Sequence, residues 1–383
     1  MKKALRIALI GSRGIPARYS GFETFYEQIG VRLAQRGHQV TVYNRSHFIR
    51  DVHDTYCGVR IVSLPSIPTK HLDTLTHTAL SSLHALFQKY DVVYYCIVGN
   101  SPLAWIPRLA GSKVLLNVDG ADWAREKWGP FARWYQRHCE RVATRVVPTL
   151  IADSRVIQER YRTLYNAETI FAPYGANICR DERVDALNRW GLKPRKYLLY
   201  VGRLVPENAV DMLIRAFGTV ATPMNLVIIG DAPFSDDYKA SLRAMADSRV
   251  IFTGYAFGDE YAQLSSHAYL AVQPSAIDGT RPALLDQMGF GNCIVFRDSA
   301  ANVETLGGYG EPFEGKGGVQ NLARKLAELV ADPRRCEHCR EGVVQRISQY
   351  YNWEWITDFH EDLFRRLIAG SGRISYYEFI ANR

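Results

Sequence analysis

The 383-residue sequence has no apolar run approaching the ~18 residues of a membrane-crossing helix, which excludes a helical membrane span. Its opening, MKKALRIALIGSRG, sets two lysines before apolar residues, but Arg6 interrupts the run and Gly11 ends it. That stretch is expected to be a first β-strand, not an export signal. Cysteines are few and odd in number, seven scattered along the chain, which points to reduced thiols in a cytoplasmic protein. Cys336, His338 and Cys339 have the spacing of half a zinc site, with no second pair nearby. They are therefore expected on a surface helix, with no metal. No two aspartates are separated by a single residue, so a D-x-D metal motif is absent. A dinucleotide fingerprint is missing as well. The loop after the first strand has only Gly11 and Gly14, and the second strand ends in Asn44 and Arg45 where an acid would be needed, which argues against NAD.

What is present reads as an α/β protein of two domains. Single cores stop growing at roughly 250 to 300 residues, and this chain is longer. Apolar runs such as LRIALI, HQVTVYNR, VRIVSL, DVVYYCIV and KVLLNVDG alternate with helical segments, as in a doubly wound sheet. Residues 1–178 form the first domain in this reading, and the charged stretch 180–196 connects it to a second. From KYLLYVGRL onward the same alternation fills residues 195–350. An amphipathic helix at 351–370 is expected to pack back on the first domain, and the stretch after Gly370 carries no signal. The formal net charge of +8 implies attraction to anions and leaves nucleic acid, anionic lipid and phosphorylated metabolites open.

Ligands of open α/β sheets bind beyond the carboxyl ends of the strands, so Gly99, Asn100, Asp119 and Asp122 are candidate positions, with helix capping an equal alternative for Asp122. Arg13 and Arg18 in the first loop suit phosphate or an acceptor sugar. In PSAIDGTRPALLDQMGFGN, residues 274–292, a turn leads into a helix that begins at Pro282 and ends near Gly289 or Gly291. A helix start favours anionic phosphate, and a carboxylate one turn in, Asp286, can accept from ribose hydroxyls. A further helix repeats arginine every fourth residue, at Arg133, Arg137, Arg141 and Arg145. Phe131, Tyr135, Cys139, Val142 and Val146 mark another face, and Trp123, Lys127, Trp128 and Trp134 add rings and charge near its start. A basic helix with interfacial aromatics suits an anionic membrane surface, and a solvated helix face is the equal alternative.

GSRGIPARYSGFETF, NVDGADWAREKW, ADS, PYGA, VGRLVPEN and DGTRPALLDQM, in this order, resemble retaining glycosyltransferases of family 4. The nearer likeness is to the bacterial branch that includes polysaccharide rhamnosyltransferases. The resemblance implies the GT-B fold, two Rossmann-like domains facing a central cleft. The second domain would hold a nucleotide sugar and the first its acceptor. It assigns Arg203, after Gly202, to the donor diphosphate, a role that fits guanidinium geometry. Asp278 falls near the transferred sugar, Asp286 on the ribose, and Gly254 with Tyr255 beside the base. Gly279 and Thr280 complete the donor loop; Asp119 takes a position where many relatives have histidine. Arg13, Arg18, Tyr19, Gly21, Glu23 and Asp122 are assigned to the acceptor.

Three departures stand out. Aspartates replace both family glutamates, the loop glycine pair is reduced to Ser20 and Gly21, and Asn208 stands where a lysine usually accompanies Arg203. Arg281 is expected to restore the charge lost at Asn208. The implied activity is metal-independent, retaining transfer with no resident cofactor. It would move a sugar such as rhamnose from a dTDP- or UDP-sugar to a lipid-linked polyprenyl diphosphate glycan at the inner membrane face. A nucleotide-sugar epimerase and a non-catalytic assembly partner are the alternatives. Nucleic acid is excluded as a partner, because the arginines lie on one helix without a recognition motif.

Overall fold

The computed structural model describes residues 3–18, 21–51, 54–69, 72–118, 120, 123, 129–233 and 235–382. The chain forms two compact units, Met1–Tyr174 with Trp353–Arg383, and Gly175–Asn352. In the first unit the chain runs through β1 (Arg6–Ile10), α1 (Gly21–Gln35), β2 (Gln39–Arg45), β3 (Thr55–Tyr56), β4 (Val59–Leu64) and α2 (Asp73–Gln88). There follow β5 (Val92–Cys96), β6 (Lys113–Asn117), α3 (Pro130–Val146), β7 (Thr149–Ala152), α4 (Arg155–Tyr165) and β8 (Ile170–Phe171). The strand order is β3-β4-β2-β1-β5-β6-β7-β8, parallel except for the short β3–β4 pair. Sheets covered on both faces need strands that are apolar throughout, and Ile7 to Ile10 and Val92 to Cys96 are fully buried.

In the second unit α5 (Asp185–Arg189) precedes β9 (Tyr197–Val201), α6 (Val210–Gly218), β10 (Asn225–Ile229), α7 (Asp236–Met245), β11 (Val250–Gly254) and α8 (Gly258–Ser266). The unit continues with β12 (Leu270–Gln273), α9 (Pro282–Gly289), β13 (Cys293–Arg297), α10 (Ala300–Leu306), β14 (Glu311–Phe313), α11 (Gly318–Ala331) and α12 (Pro333–Tyr350). Its strands are all parallel, in the order β11-β10-β9-β12-β13-β14. The stretch 180–196 belongs to this unit, where α5 packs on α8.

The chain then returns to the first unit as α13 (Trp353–Ala369), which packs along α1. The Phe25 ring lies 5.3 Å from His360 and 6.2 Å from Trp353, and Arg36 pairs with Glu354 at 2.8 Å and Asp358 at 2.6 Å. Beyond Gly370, a stretch for which the sequence reading made no assignment, the chain forms α14 (Tyr376–Ala381). Ser375 and Glu378 form a capping box there, a signal visible in the sequence. The helix of the thiols, α12, has an exposed face as expected, but the thiols are not on it. Cys336 and Cys339 turn inward with Val343 and Ile347, at helical spacing, and only His338 of the group is exposed. The Ile294 N–H donates to Cys339 Sγ at 3.4 Å.

How α9 ends is decided by two glycines with different tasks. Gly291 has φ +72 and donates to the Met288 carbonyl, while Asn292 N–H donates to that of Gln287, the paired bonds of a Schellman ending. Gly289 is no cap. A Cβ there would lie 2.2 Å from the Asn177 carbonyl oxygen, so this glycine permits close backbone packing. Gly289→Ala is expected to cost about 1–3 kcal/mol from overpacking. Gly291→Ala should cost roughly 1–2 kcal/mol for its left-handed backbone. Urea unfolding monitored by circular dichroism measures both; a neutral Gly289→Ala would refute the packing role.

Candidate active site

In the second unit the winding reverses between β9 and β12. The chain steps outward from β9 to β10 and β11, then returns to the opposite side of β9 to place β12. The crevice at such a reversal, beyond the carboxyl ends of the strands, is where open α/β sheets hold ligands. Gly202 and Arg203 follow β9, and residues 274–281 follow β12. Next to them the strand ends are nearly bare. Gly202 N–H donates to Ile229 O at 3.0 Å and Gly230 N–H to Gly254 O at 2.8 Å, so glycines cap three adjacent strands. A Cβ on Gly230, φ +137, would meet the Gly202 carbonyl oxygen at 2.0 Å. Gly230 was missed in the sequence, although the repeated endings VG, IG and TG of these strands signal it.

A polar network joins the two sides of the reversal. Arg203 is half-buried, and its guanidinium has no partner among the described residues. Its backbone carbonyl accepts from Asn208 Nδ2 at 2.7 Å and from the Tyr200 hydroxyl at 3.3 Å. Asn208 Oδ1 accepts from Arg281 Nη1 at 3.2 Å, and Arg281 Nη2 donates to Ser275 Oγ at 2.6 Å. Ser275 Oγ donates to Glu207 O at 2.9 Å. Asn208 and Ser275 are buried, so both anchor the guanidinium from beneath.

The remaining donor-side residues divide between the loop and the helix. Asp278 is exposed, Gly279 has φ +98, where a glycine is required, and Thr280 is buried. Pro282 occupies the first turn of α9, as expected. Asp286 accepts from the Tyr261 hydroxyl at 3.3 Å. Burial raises its carboxyl to about 7, outweighing that hydrogen bond, which lowers it. Tyr255, after Gly254, is 44% exposed and stacks on Phe257 at 5.9 Å, presenting an aromatic surface to solvent.

The first unit has its own reversal, between β1 and β5. The loop of residues 11–18 lies at one side. A Cβ on Gly11 would meet Cys96 O at 2.7 Å and Asn100 Nδ2 at 2.8 Å. Asn44 clamps the loop, accepting from Ile15 N–H at 3.0 Å and donating to Ile15 O at 2.8 Å. The residue that stood in the sequence only for a missing acid is thus a structural tie. Arg13 lies over the Phe48 ring at 4.8 Å, its N–H donates to the buried Glu23 carboxylate, and Arg18 pairs with Asp51 at the surface. Gly21 opens α1. Across the reversal, Ile97 has φ +67, a strained conformation for a β-branched residue. It introduces Gly99 and the buried Asn100. Asp153, of the ADS motif, is fully buried after β7. Tyr19, Asp119 and Asp122, with Lys127 and Trp128, lie outside the described residues.

Comparison with known proteins gives both units the same context. Residues 20–175 match the family model "Glycosyl transferase 4-like domain" and residues 195–332 match "Glycosyl transferases group 1". The chain is 27% identical to a GDP-mannose-dependent alpha-(1-6)-phosphatidylinositol monomannoside mannosyltransferase of Mycolicibacterium smegmatis, over 91% of this chain and 95% of that one. It is also 27% identical to alpha-D-kanosaminyltransferase of Streptomyces kanamyceticus, over 62% of this chain and 64% of that one. Among solved structures, sucrose-phosphate synthase from Thermosynechococcus elongatus superposes with TM-score 0.80 at 19% identity, covering 95% of this chain and 99% of that one. Anabaena HepE in complex with UDP-glucose gives 0.75 at 17% identity, covering 96% and 99%.

The raised Asp286 carboxyl has a stability consequence of definite sign. Between pH ~4 and ~7 the folded protein holds a proton here that the unfolded chain releases, so this contribution falls as pH rises and is lost above ~7. Asp286→Asn removes it. The stability of the variant relative to the natural protein should therefore climb from pH 4 to pH 7 and level off above. Melting temperatures of both proteins across pH 4–9 test this, and a constant difference would contradict it.

Proposed function

The chain belongs to the GT-B glycosyltransferases, a 4-like domain followed by a group 1 domain, and we propose that its second unit binds the nucleotide-sugar donor at the β9–β12 reversal. The observation that carries this reading is the link across that reversal, through Asn208, between the Arg281 guanidinium and the backbone carbonyl of Arg203. An anionic diphosphate suits the two arginines, and guanidinium forks match phosphate oxygens. In this reading Gly202, Gly254 and Gly279 leave room for the nucleotide, and Asp286 receives ribose hydroxyls. Tyr255 lies against the base. Asp278 and Thr280 face the transferred sugar.

The first unit takes the acceptor, through the loop that bears Arg13, Arg18 and Tyr19 and the helix start with Gly21 and Glu23. Asp119 and Asp122 act at the transferred sugar and the acceptor hydroxyl. The donor is a dTDP- or UDP-sugar, with rhamnose as the transferred group; the acceptor is a polyprenyl diphosphate glycan for surface polysaccharide. The mannosyltransferase relative, whose name specifies a phosphatidylinositol glycoside, supports a lipid-linked acceptor.

Transfer proceeds with retention. The acceptor oxygen attacks the anomeric carbon on the face the diphosphate leaves, the bond from that carbon to the phosphate oxygen breaks, and the departing phosphate takes the acceptor's proton. Arg203 stabilises the charge that builds on the phosphate, in place before the bond breaks. No helix among the described residues is long and apolar enough to cross a membrane. The reading places α3 on anionic lipid at the inner membrane face. Arg133, Arg137, Arg141 and Arg145 are exposed along it, as are Phe131 and Trp134, 76% and 60% exposed, with ring centroids 5.8 Å apart. Phe131 thus joins the basic face; the opposite face is formed by Cys139 and Ala143.

Incubation with a panel of sugar nucleotides and lipid-linked acceptors should release a nucleoside diphosphate and yield a glycoside with the donor's anomeric configuration by NMR. Arg203→Ala should lower kcat/KM by roughly 100- to 1,000-fold, the usual loss when one preorganised donor to developing charge is removed. Release from no donor would instead identify a non-catalytic binding partner. For the membrane, replacing all four α3 arginines by Gln should abolish flotation with acidic vesicles, since each cation near the lipid contributes about 1 kcal/mol. Undiminished flotation would remove α3 from the proposal.

A further inference from the structure

Position 208 holds a neutral side chain where the resemblance implies a cation, and the structure shows what that side chain does instead. The Asn208 amide works in two directions. Its NH2 group donates to the Arg203 carbonyl at 2.7 Å while its oxygen accepts from Arg281 at 3.2 Å. A lysine at 208 could make the first bond but not the second, because an ammonium has no acceptor. It would also set two cations within hydrogen-bond distance, where they repel. Arginine at 281 and asparagine at 208 therefore fit each other.

We infer that the second cation of the diphosphate site has moved from position 208 to Arg281, and that Asn208 and Ser275 are the positioning residues that aim it alongside Arg203. This rests on the donor reading proposed above. Arg281 is the N-cap residue of α9, in extended conformation, so its side chain starts where the backbone N–H groups of the helix begin. Its bonds to Asn208 and Ser275 are to neutral acceptors, which orient the guanidinium. The Tyr200 hydroxyl, bonded to the Arg203 carbonyl, feels both arginines. Burial raises it to about 12, and the charges of Arg281 and Arg203 both act to lower it. The neutral Asn208 amide thus links the Arg281 guanidinium to the Arg203 backbone carbonyl across the winding reversal.

Isothermal titration with UDP, dTDP and GDP, and with the monophosphate of whichever binds, measures what the β-phosphate contributes. Arg281→Gln can still bond to Asn208 and Ser275 but carries no charge. It should weaken the diphosphate by about 10- to 100-fold and the monophosphate far less, as expected for loss of a charge-assisted contact. Asn208→Lys alone should also weaken the diphosphate, whereas Asn208→Lys with Arg281→Gln should recover most of the loss by returning the cation to its usual place. Such recovery is non-additivity that separate structural defects would not produce. An unchanged diphosphate-to-monophosphate ratio in Arg281→Gln, or a double variant no better than the single ones, overturns this inference and leaves the donor reading standing. Binding of none of the diphosphates by the natural protein overturns both.

Discussion

A carbon atom added to Gly230 would lie 2.0 Å from the Gly202 carbonyl oxygen, and the arrangement of the donor side depends on that carbon's absence. Because β10 can end against β9 at this distance, Gly202 reaches the Ile229 carbonyl and Gly230 the Gly254 carbonyl, and three strands finish level without side chains between them. Arg203 leaves this bare edge directly, its carbonyl fixed by Tyr200 and Asn208. Only then can a side chain from the far side of the reversal, Arg281, reach the same anchor. Close packing of backbone sets where the charges stand.

Strand composition made the architecture legible. Runs such as LRIALI and YLLYVG are apolar on both faces, which is what parallel strands covered on both sides require, and their alternation with helices announced two doubly wound units. The Pro282 start of α9 was equally plain. The pairing of Asn208 with Arg281 was less so, since a contact between residues 73 positions apart needs the register of β9 against β12. Asn44 is the sharper case. In the sequence it marks only the lack of an acid, whereas its two bonds to Ile15 hold the first-unit loop.

Two expectations missed which side of a helix a residue occupies. Cys336 and Cys339 are three apart because α12 buries that stripe, together with Val343 and Ile347. Phe131 was grouped with Cys139 on one face of α3, yet it lies in the first turn, is 76% exposed, and its ring tilts against that of Trp134, whereas Cys139 is buried. Asp286 shows a third limit. Its position one turn into α9 was evident, but the burial that lifts its carboxyl to about 7 is a tertiary property.

Net charge alone could not say which cations are available to a ligand, because pairing decides it. Arg45 is tied to Asp73 at 2.5 Å, Arg36 to Glu354 and Asp358, Lys325 to Glu311 at 3.3 Å, and Arg18 to Asp51. These cations hold the fold, and their charge is largely spent on a neighbouring carboxylate. The α3 arginines differ. Arg133, Arg141 and Arg145 have no acidic partner among the described residues, and Arg137 lies over the Trp123 ring at 4.0 Å, a contact that leaves its charge intact. Arg203 likewise keeps its guanidinium without a partner among the described residues. The formal excess of +8 therefore gains meaning from which arginines lack a carboxylate partner among the described residues, three of them on α3 in the first unit and Arg203 in the second.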